Sequence, residues 1–154
     1  MIVLDTNALS EALKPSPSEI VLRWLAAQEP SAVFITTITQ AEVLYGIELL
    51  PAGKRRMRLS AVIEKLFAED FLGRILSFDE DSARMFAKIV TVREAAGRPI
   101  SQFDAMIAAI ARSRAPQSRR AIPTISNIVA FESSIPGPNE RPAITALDAP
   151  LETP

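Results

Sequence analysis

The 154-residue chain contains neither cysteine nor histidine. Without thiols there is no disulfide framework, no thiolate metal ligand and no thiol nucleophile; without imidazole the usual base near neutral pH is missing. Any chemistry therefore falls to carboxylates, hydroxyls, Lys, Arg or a bound metal. The chain also lacks a run of eighteen apolar residues, and its opening MIVLDTN is too short and too acidic for a signal peptide. A soluble, cytoplasmic protein with no membrane contact is expected. A net charge of −1 supplies no global attraction for nucleic acid and leaves that task to a local basic patch. What is present is apolar bulk: 48% hydrophobic residues at this length make one domain with a real core.

Strand and helix signals alternate along the chain. MIVLD (1–5), AVFIT (32–36) and RILSF (74–78) are short apolar runs bounded by polar residues, as buried parallel strands tend to be. Ser16-Pro17-Ser18-Glu19 offers an N-cap, a first-turn proline and a reciprocal Glu ahead of Ile20, Val21, Trp24 and Leu25 at helical spacing. Thr39 with Glu42 opens a second helix carrying Leu44 and Ile47, and Leu59, Ile63, Leu66, Phe67 and Phe71 form a long stripe after Gly53. A fourth helix is expected from about Asp81 to Ala96, stopping at Gly97. A fifth, from about Ser101 to Ser113, is expected to bury Phe103, Met106, Ile107 and Ile110. The pattern predicts an α/β fold with a central parallel sheet covered on both faces.

Ligands of such sheets gather outside the carboxyl ends of the strands, near a switch in strand order, which directs attention to Asp5. Asp5 can equally be a turn or N-cap residue, and Glu42 can be the N3 partner of Thr39 in a capping box. Asp104, three residues after Ser101, also permits a cap. It lies on the rim of an apolar stripe, where a carboxylate needs a partner or a metal. The three acids gain weight together, because each would stand at a strand end or in a first helical turn on one edge of the sheet. Converging carboxylates repel unless a cation joins them. Hard oxygen ligands suit Mg²⁺ or Mn²⁺, and the absence of His and Cys argues against zinc. An ion held this way can activate water and neutralise a phosphoryl group, so phosphodiester hydrolysis is the natural reaction class.

Three pieces, MIVLDTNALSE at the start, TTITQAEVLYGIELL around Glu42 and GRPISQFDAMIAAIAR around Asp104, together resemble the PIN-domain ribonucleases, and most closely the VapC-type toxins of bacterial toxin-antitoxin pairs. The resemblance covers residues 1–114. It implies a PIN-like α/β/α sandwich, Mg²⁺-dependent cleavage of RNA, a homodimer, and neutralisation by an antitoxin encoded beside the toxin. It also implies that Asp5, Glu42 and Asp104 are the catalytic metal-site acids, with Thr6 and Asn7 supporting the first of them.

Lys54, Arg55, Arg56 and Arg58 form a basic start to a helix, which either guides an RNA backbone or is a solvated face. Tyr45, Leu49 and Phe67 either serve a groove for a second copy or an antitoxin or pack in the core, the latter being the default for such side chains at helical spacing. Two other enzyme classes fit less well. A receiver-like domain would want an acidic pair after the first strand, and a phosphatase of the Asp-x-Asp type would need Asp where Asn7 stands.

The last forty residues differ from the rest, for seven of the twelve prolines lie from Ala115 onward. The resemblance implies a further segment, a strand followed by Thr-Arg-Asn/Asp-x-x-Asp-Phe, whose Asp supplies a fourth acid, and a last strand ending near Asn/Asp-Pro-Trp. Here Thr124, Asn127 and Phe131 stand in loosely similar order, with Ala130 where the acid belongs. The genetic code offers a reason. In the phase one base upstream, each codon joins the free third base of one residue to the first two bases of the next. From Arg119 to Ser126 this phase permits Thr-Arg-Asp-Thr-Asp-Asp-Phe, and from Ser126 to Gly137 it permits Glu-His-Cys-Gly-Val-Arg-Ile-Leu-Asp-Pro-Trp. Residues 1–114 are therefore read as the PIN-like body. Residues 115–154 are read as a frameshifted, partly disordered segment, with the C-terminal strands lost or altered. A catalytically impaired module that still binds antitoxin or RNA is the competing reading.

Overall fold

The structure, a computed structural model, describes residues 1–14 and 16–115. The expected change of character from residue 115 onward, including the position of Ala130, lies outside the described residues apart from Ala115 itself. Among the described residues three short parallel strands form a sheet: β1 (Ile2–Val3), β2 (Val33–Thr36) and β3 (Ile75–Leu76), in the order β1-β2-β3. Ile2 stands opposite Val33, and Ile35 opposite Ile75. The ladder runs past the strand ends, with the Leu4 N–H donating to the Phe34 carbonyl at 2.9 Å. Val33, Ile35 and Thr36 of the central strand are buried, which explains why AVFIT reads as a continuous apolar run.

Among the described residues six α-helices follow or separate the strands: α1 (Thr6–Ala12), α2 (Glu19–Ala26), α3 (Thr37–Glu48), α4 (Lys54–Lys65), α5 (Glu80–Ala95) and α6 (Gln102–Ser113). The architecture is the expected α/β/α arrangement around a parallel sheet. No switch in strand order occurs among the described strands. The larger core gathers Leu4, Leu9, Val33, Ile35, Val43, Ile47, Ile63, Phe67 and Phe71. The stripe after Gly53 thus does what its spacing predicts, although its last part, Leu66–Asp70, is wound as a π-helix. A second cluster lies between α5 and α6, where Ile89, Ala108 and Ala109 pack against Phe78, Met85 and Phe86. Helix α5 is followed by Gly97 at φ +66°, a left-handed turn that glycine enters without steric cost.

Several local expectations are corrected. Helix α2 starts after Ser18 rather than Ser16, because the Ser18 N–H donates to the Glu11 carboxylate at 3.0 Å and Ser18 itself takes the cap position. Its inward residues are Val21 and Leu25, whereas Ile20 and Trp24 are exposed. Helix α3 is capped by Thr36, whose hydroxyl accepts the Thr39 N–H at 3.0 Å, so Glu42 lies beyond the first turn and is not a capping partner. Phe103 is 54% exposed, because burial along α6 begins only at Ala105 and the first turn projects past the packed body. Ile107 and Ile110 are buried as expected, and Met106 is half-buried. Tyr45 on α3 and Leu49 at its C-cap are also exposed, while Phe67 is in the core.

Candidate active site

Asp5 follows β1 directly and caps α1, its Oδ1 accepting the Ala8 N–H at 2.7 Å. The turn reading of Asp5 is therefore correct, and it does not exhaust the residue. Burial pushes the Asp5 carboxyl above its ordinary range, the Ala8 amide partly offsets this, and the nearby charge of Asp104 pushes it further. Asn7 contributes its backbone N–H to Asp5, and its side chain is exposed.

Glu42 sits on the half-buried side of α3 and accepts a hydrogen bond from the hydroxyl of Thr6, a residue buried at the start of α1. Its carboxyl is also raised, first by burial and then by the charges of Asp104 and Asp5, with the Thr6 hydroxyl working the other way. Two threonines missed as site supports fix the root of α3. Thr39 donates to the Leu4 carbonyl at 3.4 Å and shares a hydroxyl contact of 3.0 Å with Thr36, all of it buried. These bonds tie the end of β1 to the helix that bears Glu42. The spacing Thr36-x-x-Thr39 after an apolar run was the available signal for that cap.

Asp104 lies in the first turn of α6 and is exposed. The Ser101 hydroxyl donates to its Oδ2 at 2.6 Å and accepts its N–H at 3.1 Å. The structure thus brings all three sequence-predicted acids into electrostatic reach of one another from three separate elements. Among the described residues they do not form a closed cluster able by itself to cage an ion. The donor set nonetheless fits a hard divalent cation: it is all oxygen, and Asp5 and Glu42 are partly buried, so that burial first and the charge of Asp104 after it raise both carboxyls. No buried side-chain polar atom among the described residues lacks a partner, so Thr6, Thr36 and Thr39 are all engaged.

The basic run at the head of α4 is partly employed within the fold. Arg56 pairs with the Glu48 carboxylate and donates to the Glu48 carbonyl, bracing the turn between α3 and α4. Among the described residues no helix is long and apolar enough to cross a membrane.

The PIN domain family matches residues 2–115. A plasmid stability protein, StbB of Pseudomonas syringae pv. tomato, is 41% identical over 111 residues, which are 72% of this chain and 80% of that protein. The VapC ribonuclease Y4jK of Sinorhizobium fredii is 39% identical over 111 residues, or 72% of this chain and 79% of the relative. Among solved structures, that of FitAB bound to an IR36 DNA fragment is similar at a TM-score of 0.69 and 40% identity, covering 73% of this chain and 78% of that one.

Proposed function

The chain belongs to the PIN-domain family and is a nuclease of the VapC toxin kind; on that premise we propose that it hydrolyses RNA phosphodiester bonds at Asp5, Glu42 and Asp104. These acids would hold Mg²⁺ or Mn²⁺, whose chemistry is to lower the pKa of bound water and neutralise phosphoryl charge. The chain's own part is to present three carboxylates from three elements, two of them poorly solvated. The observation that carries the reading is the placement of the three acids: Asp5 at the end of β1, Glu42 on α3 tied to α1 by the Thr6 hydroxyl, and Asp104 in the first turn of α6. Cleavage of RNA in the presence of Mg²⁺, abolished by EDTA and reduced about a hundredfold or more by Asp5→Asn, supports the reading. Undiminished cleavage by Asp5→Asn sinks it. An antitoxin protein and a second copy of the chain are the proposed partners. Tyr45, Leu49, Met57 and Val62 leave exposed apolar surface on α3 and α4 that partners of either kind would cover.

A second reading is favoured by a specific observation: about a fifth of each named relative lies outside its match, while residues 116–154 lie outside the PIN match to this chain. We infer that the reading frame slipped close to Arg114, so that the fourth acid is replaced by Ala130 and the site is impaired while binding persists. Sequencing the coding DNA decides the slip. An early stop in the upstream phase, or a phase without Thr-Arg-Asp-Thr-Asp-Asp-Phe, refutes it. If the slip is real, a frame-restored protein cuts RNA faster than the present chain, and both bind antitoxin.

A further inference from the structure

Resting on the cation-site reading above, we propose that Ser101 is a positioning residue for Asp104, orienting the carboxylate that α6 contributes to the ion. An N-cap needs only one of the two bonds Ser101 makes, the acceptance of the Asp104 N–H at 3.1 Å. In the usual capping box the N3 side chain reaches back to the backbone N–H of the cap residue. Here Asp104 takes the proton of the Ser101 hydroxyl instead, at 2.6 Å through Oδ2. Asp is one methylene shorter than Glu, which favours the nearer donor. With one lone pair held by the amide and its only proton given to the carboxylate, the hydroxyl has a fixed direction.

The arrangement matters because Asp104 has no packing to select its rotamer. Residues 101 to 104 are all exposed. An unheld exposed carboxylate loses rotamer freedom when it binds an ion, and a carboxylate already held has lost it in advance. Each of the three acids has a dedicated donor: Ala8 N–H for Asp5, the Thr6 hydroxyl for Glu42 and the Ser101 hydroxyl for Asp104. Asp5 and Glu42 are also confined by partial burial, so Asp104 depends most on its donor. In metal sites, removing a group that orients a ligand typically costs about ten- to a hundredfold in affinity.

The test compares Ser101→Gly with Ser101→Thr in the full chain. Glycine is nearly as good an N-cap as serine but offers no hydroxyl, whereas threonine restores both bonds. Calorimetric titration with Mg²⁺, and with Mn²⁺ as a second probe, reads cation affinity directly, and melting in EDTA reads the cap. The expected result is about tenfold weaker binding for Ser101→Gly, near-native binding for Ser101→Thr, and unchanged melting of both without metal. Native affinity in Ser101→Gly overturns the proposal, as does a loss that Ser101→Thr fails to restore or that follows a fall in melting temperature. If the unaltered chain binds neither ion, or binds one that survives Asp5→Asn, the site reading itself fails and this inference falls with it.

Discussion

The hydroxyl of Thr6 donates to the carboxylate of Glu42, joining the helix after β1 to the helix after β2 across 36 residues of sequence. The residue following one proposed site acid thereby orients another. Thr6→Val keeps the shape and removes the donor, so the buried side of Glu42 loses the one contact that lowers its carboxyl pKa. Stability is expected to fall by about 1–2 kcal/mol, read from the urea midpoint at constant slope. Mg²⁺ affinity falls with it, and Thr6→Ser restores part of both.

The raised carboxyl of Asp5 gives a pH signature whose sign is fixed. The folded state holds its proton more tightly than the unfolded state, so the penalty of burying the charge is absent below the ordinary Asp range. It grows as pH rises from that range through the raised folded value. Asp5→Asn retains an acceptor for the Ala8 N–H and removes the charge. In EDTA the variant should melt above the native chain near neutral pH, and the gap should close at about pH 3, where both side chains are neutral. A gap that widens on acidification would contradict the direction of the shift.

Ser82 fastens α5 to α6. Its buried hydroxyl donates to Asp79 at 2.8 Å and meets the Ser113 hydroxyl at 3.0 Å, while Arg114 bridges to Asp79 at 2.5 Å from the far end of α6. Ser82→Ala should cost about 1 kcal/mol. Arg114→Ala, which breaks only a partly exposed pair, should cost less. Amide exchange should quicken at the start of α5 and the end of α6 in the first variant.

Ile110 is fully buried on α6. Ile110→Ala removes three carbons from a packed site and is expected to cost about 3 kcal/mol in chemical denaturation. A cost below about 1 kcal/mol would mean that the surroundings collapse onto the space.

The elements were legible wherever one physical signal dominated. MIVLD, AVFIT and RILSF each contain the strand they predict, and the fifth helix begins where Ser101 caps it, because apolar runs and N-caps are local facts. Asp5 and Asp104 stand where the sequence places them, after a strand and in a first helical turn, whereas Glu42 lies a turn further into α3 than its capping-box spacing implies. Less legible was anything decided by a distant partner. Ser16 carried the stronger cap signature, yet Glu11 claims the Ser18 amide and moves the start of α2. Thr39 and Glu42 match the capping-box spacing, yet Thr36 takes the cap and Thr6 takes the carboxylate. Phe103 fits the α6 stripe by angle, but periodicity carries no knowledge of where the packed body stops.

Asp5 and Glu42 stand on the larger core, and Asp104 stands on α6, which shares a separate apolar cluster with α5 and also touches α3. The spacing of the three proposed site acids is therefore a joint, set by how α6 seats against α5 and α3. Damage to that joint reaches the chemistry from a distance: a change at Ile89 or Ala109 that tilts α6 would unseat one acid of three while every acid remains in the sequence.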